Sequence, residues 1–166
     1  IKATAWGDSS YSGPIIAKTA NERGYSLRCG AGGKVNFIVS SAGNVSRAIT
    51  DAPVLTLNNW HHVAGVYDSS DLIVYVDGVE VQRTPRTGNI GTTANNFWLG
   101  RDGYAQTRYF EGLIDEVRIW KIAREQWKIQ EYIDIPIDTS SYGLVAYYKF
   151  DSNSGTVLTD EKGTNN

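Results

Sequence analysis

An all-β, antiparallel sandwich closed by one short helix is the fold class this sequence predicts. Short apolar runs recur at strand length with glycine-rich turns between them, the pattern of antiparallel β structure. One run, LIVYVDGVEV at 72–81, alternates Leu72, Val74 and Val76 against Ile73 and Tyr75, and turns at Asp77-Gly78, a pair that can supply the positive φ values of a tight hairpin. Another, FWLGRDGYAQTRYFEGLIDEVRIW at 97–120, joins two apolar strands of different phase through a polar loop holding two tyrosines.

From the amino end, Ile1-Lys2-Ala3 reads as the close of a strand already under way, so the sequence is expected to be a piece of something longer. Strands are expected at 14–18, 25–29 and 34–39, with Gly7, Gly13, Gly24, Gly30, Gly32 and Gly33 punctuating them. WHHVAGVYD at 60–68 forms the next strand, followed by the hairpin, by FWLGR, and by FEGLIDEVRIW. A helix is expected at 123–132, where Ile122, Trp127, Ile129 or Gln130, and Ile133 form one apolar stripe against the sandwich; Trp127 is read as packing. Residues 134–142, with a proline and two serines, read as a linker. The strand pattern that opens 143–166 belongs either to a following repeat of a tandem array or to the present sandwich as its closing strand. The spacer character of 134–142 favours the array.

A chain of 166 residues, 41% hydrophobic, can build one sizeable core without a second domain. A formal net charge of -2 and a pI near 5.7 offer no general attraction to DNA, RNA or an anionic membrane. No run of 18 apolar residues is present. The lone Cys29 excludes an internal disulfide, a cysteine zinc site and a redox pair.

The order and spacing of WHHVAGVYD, LIVYVDGVEV, FWLGR and FEGLIDEVRIW, closing on a short helix, resemble the laminin-G-like jelly roll of the concanavalin A-like lectin and glucanase superfamily. The resemblance covers 1–133, with the first strand of that pattern expected to be missing. It implies a two-sheet antiparallel jelly roll and a role in glycan or surface recognition, as a carbohydrate-binding or adhesive module of an extracellular or cell-surface protein. A surface protein and neighbouring repeats of the same chain are the other partners expected. A structural spacer repeat without its own ligand is the alternative, and a glucanase the third reading.

Several residues are candidates for chemistry. In GLIDEVRIW, strand alternation puts Asp115 with Leu113, Val117 and Ile119. A carboxylate among apolar side chains needs a cation, an arginine such as Arg101 or Arg108, or backbone N–H groups, and hard oxygen ligands suit a structural Ca²⁺. His61 and His62 are adjacent in a strand, face opposite sides, and cannot converge on one ion. Hydrolases of the superfamily carry acidic residues at alternate positions of one strand, and no such string occurs here; G-x-S-x-G and the glycine-rich phosphate loops are also missing. No enzyme activity is expected. Binding has residue support: sugars stack on aromatic faces beside planar polar groups. Trp6, Tyr11, Tyr104 and Tyr109 fall in loops, and Arg101, Asp102 and Arg108 share the loop of Tyr104 and Tyr109. Trp60, Trp98 and Trp120, each placed in a strand, are read as packing. The Asn44-Val45-Ser46 triplet is given no function.

Overall fold

The computed structural model describes residues 1–6, 13–20, 23–103, 108–152 and 154–163. Twelve strands and one helix are resolved among them: β1 Lys2–Ala3, β2 Gly13–Ala20, β3 Arg23–Gly30, β4 Lys34–Ser41, β5 Asn44–Ile49, β6 Val63–Tyr67, β7 Asp71–Val76, β8 Val79–Pro85, β9 Trp98–Leu99, β10 Gly112–Leu113, β11 Val117–Trp120, α1 Gln126–Glu131 and β12 Leu144–Tyr148. The fold is mostly β, and every strand pair is antiparallel.

The largest sheet runs β5-β4-β3-β2-β9, a second runs β6-β7-β8, and β1-β10 and β11-β12 form two short ladders. Alternation decides how the first two meet. Leu72, Val74 and Val76 of β7 join Val35, Phe37 and Val39 of β4 and Leu27 of β3 in the main core, while Ile73 and Tyr75, on the other face of β7, join Ile129 of α1. Burying a side chain of this size contributes about 1.5–3 kcal/mol, so these two clusters hold the layers together. The two sides of the hairpin strand therefore pack on different partners, as the alternation of LIVYV predicts.

The turn itself has the predicted backbone: Asp77 and Gly78 have φ of 49° and 76°. Asp77 does more than turn the chain. Its carboxylate accepts the ring N–H of His61 at 2.8 Å and the backbone N–H of His62 at 2.9 Å. Helix α1 docks on the same turn, with the amides of Gln126 and Gln130 donating to the Gly78 carbonyl at 3.0 and 2.9 Å.

Four expectations need correcting. The helix spans six residues, not 123–132: Glu125 is its N-cap, with extended ψ of 149° and no side-chain capping bond. Trp127 is 55% exposed and lies under the Lys128 ammonium, because the buried face of so short a helix is supplied by Ile129. Trp60 precedes β6 and is 51% exposed, so it does not pack in a core. FEGLIDEVRIW is not one strand: Glu116, at φ 53°, interrupts the pleat between β10 and β11 and resets the alternation.

Within residues 143–166, β12 hydrogen-bonds along β11, pairing Val117 with Tyr148 and Ile119 with Ala146. Tyr147, fully buried, packs with Ile137 and Leu144 in a third cluster and donates its hydroxyl to Glu116 at 2.6 Å. Ile137 is the residue of 134–142 that joins this cluster.

Candidate functional site

The loop after β9 is closed by its own backbone. Gly100 N–H bonds the Ile15 carbonyl at 2.9 Å, Phe110 N–H bonds the Gly100 carbonyl at 2.8 Å, and Arg101 and Tyr109 form an antiparallel bridge. These bonds set the two ends of 101–109 side by side on the edge of the five-stranded sheet. Between them, Asp102 turns inward. Its carboxylate is 1% exposed and sits 2.8 Å from Arg28 of β3 and 3.8 Å from Arg108. Arg28 also donates to the Ser26 hydroxyl at 3.1 Å; burial pulls its guanidinium below the ordinary value, and Asp102 opposes that pull.

Arg101, partly buried and with its Nε shielded from solvent, lies along a row of rings. Its guanidinium carbon stands 4.6 Å from the Trp98 ring centre and 5.9 Å from that of Tyr109. Tyr109 is 54% exposed. Gly103 leaves room for this arrangement: a Cβ there would come 2.4 Å from Trp98 Nε1. The result is an exposed tyrosine face beside a guanidinium held over a tryptophan, with the Arg108 side chain 40% exposed nearby. A flat apolar face next to fixed planar donors is the arrangement that binds a sugar ring and its hydroxyls.

The structure therefore brings together Arg101, Arg108 and Tyr109 and adds Trp98, read from sequence as packing. The missed signal was spacing: Trp98 and Arg101 flank Leu99-Gly100, at the strand end where a turn folds residue 101 back over residue 98. Asp102 departs from its expected role as a ligand contact. A carboxylate this buried is satisfied by Arg28 and Arg108 and holds the loop rather than meeting a ligand. Trp6 packs against the main core and lies 3.3 Å from where a Cβ on Gly33 would be, so it belongs to the sandwich margin. Tyr11 and Tyr104 lie outside the described residues.

Asp115 departs further. It is exposed, and its carboxylate accepts the N–H of the following Glu116 at 2.9 Å; neither Arg101 nor Arg108 is its partner. The left-handed residue at 116 turns it off the apolar side that strict alternation assigned to it. Among the described residues no group of three or more His, Cys, Asp or Glu is placed to hold a metal ion. His61 and His62 diverge as adjacent strand residues must. His61 accepts the Thr56 N–H on Nε2 at 3.1 Å, which leaves Nδ1 as the donor to Asp77. The buried Nδ1 of His62 has no hydrogen-bond partner among the described residues. Burial, aided by Arg118, lowers its pKa to about 4. Cys29 is buried and its thiol is pushed up to about 12 by burial, so it is inert.

A cleft of about 580 Å³ opens between β6 and β11. Its floor is the aliphatic and aromatic core at Ile15, Leu27 and Phe37.

The profile of a family described as the concanavalin A-like lectin/glucanases superfamily, in its laminin-G form, matches residues 2–130. The chain belongs to that family. A crystal structure of a candidate carbohydrate-binding protein from Bacteroides ovatus ATCC 8483 superposes with a TM-score of 0.72 at 27% identity, over 92% of this chain and 45% of that one. The chain thus spans less than half the length of that protein. A second similar structure, residues 221–444 of an S-layer domain-containing protein from Clostridium thermocellum ATCC 27405, has a TM-score of 0.41 at 20% identity, over 79% of this chain and 68% of that one, too distant to inform the reading. No curated protein sequence matches the chain.

Proposed function

We propose that this member of the concanavalin A-like lectin/glucanases superfamily is a non-catalytic carbohydrate-binding module of a larger extracellular or cell-surface protein, built as a two-sheet jelly roll that β12 closes. The observation that carries the reading is the Trp98–Arg101–Tyr109 row, with its exposed tyrosine face and its guanidinium stacked over the Trp98 ring. The fold resemblance to a candidate carbohydrate-binding protein supports it. Tyr109 stacks on the apolar face of a sugar ring, and Arg101 and Arg108 donate to its hydroxyls or to a carboxylate of an acidic sugar.

A non-catalytic role fits the way several carboxylates are used. Glu116 is bonded to Arg118 and Tyr147, Glu80 and Asp71 to Arg83, and Asp102 to Arg28. Glycoside hydrolysis needs two carboxyl groups facing one bond, roughly 5 to 9.5 Å apart and free to move protons. The deciding experiment is a glycan array probed with the chain and with Tyr109→Ala. Retention of a defined glycan class that Tyr109→Ala reduces at least about tenfold, equivalent to about 1.4 kcal/mol, supports the assignment. Retention untouched in Tyr109→Ala and Arg101→Ala places the sugar elsewhere, and a folded chain that retains nothing points to the spacer reading.

A further inference from the structure

The five-stranded sheet sets one row of side chains across the face turned away from the main core. Register pairs Arg47 of β5 with Ile38, Ile38 with Ser26, Ser26 with Ala17, and Ala17 with Trp98 of β9; residues paired across antiparallel strands share a face. The adjacent row, Ala48, Phe37 and Leu27, packs in the main core, so alternation puts the row from Arg47 to Trp98 on the opposite side. Arg28 follows Ser26 by two residues and shares its side, where it donates to the Ser26 hydroxyl at 3.1 Å. From β5 to β9 the row crosses every interstrand gap of the sheet, a span of about 19 Å.

Arginines gather along this row, and carboxylates do not match them. Arg101 lies over Trp98 at one end, Arg28 meets the buried Asp102 together with Arg108, and Arg47 is exposed at the other end. Among the described residues Asp102 is the one carboxylate that pairs with any of these four; Arg47 and Arg101 have no ion-pair partner. Burial is the main reason that the Arg28 guanidinium lies below its ordinary value, and Arg108 and Arg47 push it the same way, so the three side chains feel one another. The face thus holds an uncompensated positive charge, on a chain whose formal net charge is -2, and it does so beside the exposed Tyr109 ring.

We infer that the ligand of this face is an acidic oligosaccharide, one that bears uronic-acid carboxylates, and that Arg47 and Arg108 select it. The inference rests on the carbohydrate-binding reading above and narrows it to one class of sugar. A guanidinium presents paired planar donors that match a carboxylate, a stronger union than its bond to a neutral hydroxyl. Asp102 is spent on Arg28 inside the loop, which leaves the exposed Arg47 and the 40% exposed side chain of Arg108 to meet the ligand. A uronate that enters relieves the repulsion among these cations, whereas a neutral sugar leaves it in place, so the field itself discriminates. A ligand that touches Tyr109 and Arg47 together must run on past a single ring, because the row between Trp98 and Arg47 is about 19 Å long.

The test sets uronic-acid oligosaccharides of several backbones on an array beside their methyl esters, which keep the rings and lose the charge. The array is probed at low and at high NaCl with the chain, with Arg47→Gln and with Arg47→Gln/Arg108→Gln, and melting temperatures are read alongside. Free uronates are expected to be retained, with retention at least about tenfold weaker for the esters and falling as NaCl rises. Arg47→Gln should weaken uronate retention and the double variant weaken it further, while the melting temperature of Arg47→Gln stays at the wild-type value, since Arg47 has no ion pair to lose. Retention of neutral glycans alone, equal retention of a uronate and its ester, or uronate retention unchanged in both variants overturns the inference and leaves the carbohydrate-binding reading standing. A folded chain that retains no sugar, charged or neutral, overturns both.

Discussion

Removing the Asp102 carboxylate tests whether the candidate glycan loop is held from inside. In Asp102→Ala the Arg28 guanidinium, with only 12% of its side chain exposed, loses its partner at 2.8 Å and keeps the Ser26 hydroxyl, which cannot neutralise it. Breaking a buried pair from one side costs about 3–5 kcal/mol, because the remaining charge stays desolvated. At about 2–4 °C per kcal/mol for a chain of this size, the melting temperature should fall by about 6–20 °C. Urea denaturation of wild type, Asp102→Ala, Arg28→Met and the Arg28→Met/Asp102→Leu double variant measures the coupling. The double variant should recover most of the loss, since an apolar pair of similar volume needs no desolvation of charge. A loss below about 1 kcal/mol in Asp102→Ala, the range of an exposed ion pair, would refute the reasoning, and the loop would then rest on its backbone bonds alone.

Further outcomes are expected from other sites. His62 has a folded pKa lowered to about 4 from an ordinary 6.5, so its contribution is complete above 6.5 and is lost as pH falls toward 4, where the unfolded chain takes the proton first. Between pH 7 and pH 5 that is on the order of 2 kcal/mol at about 1.4 kcal/mol per pH unit, and urea midpoints should show His62→Asn losing less than wild type. Gly65→Ala should destabilise by about 1–3 kcal/mol, because a Cβ there would lie 2.6 Å from the Phe37 ring; a neutral result by thermal denaturation would mean the ring yields freely. The melting temperature should be the same in Ca²⁺ and in EDTA, for the chain and for Asp115→Ala. A Ca²⁺-dependent rise abolished in Asp115→Ala would place a structural metal at Asp115.

The hairpin was legible because its signals are local: Asp77-Gly78 sets the turn, and two-residue alternation assigns Leu72, Val74 and Val76 to one side and Ile73 and Tyr75 to the other. The 101–109 loop was legible as polar and aromatic, but its roles were not. That Asp102 points in and Tyr109 out depends on Arg28, which is 74 residues away in sequence and belongs to another strand. Asp115 was misplaced for a related reason. Alternation holds only while the pleat is regular, and one left-handed residue at Glu116 shifts every later side chain.

Taken alone, then, the sequence determined the strand class, the family likeness and the hairpin register, all properties of neighbouring residues whose φ/ψ preferences and apolar spacing are written along the chain. The tertiary structure decided which carboxylates are ion-paired, which tryptophans are exposed and where β12 pairs. Each of these depends on contacts between segments tens of residues apart. Burial and charge pairing arise only when the sheets close on one another, and no local pattern encodes them.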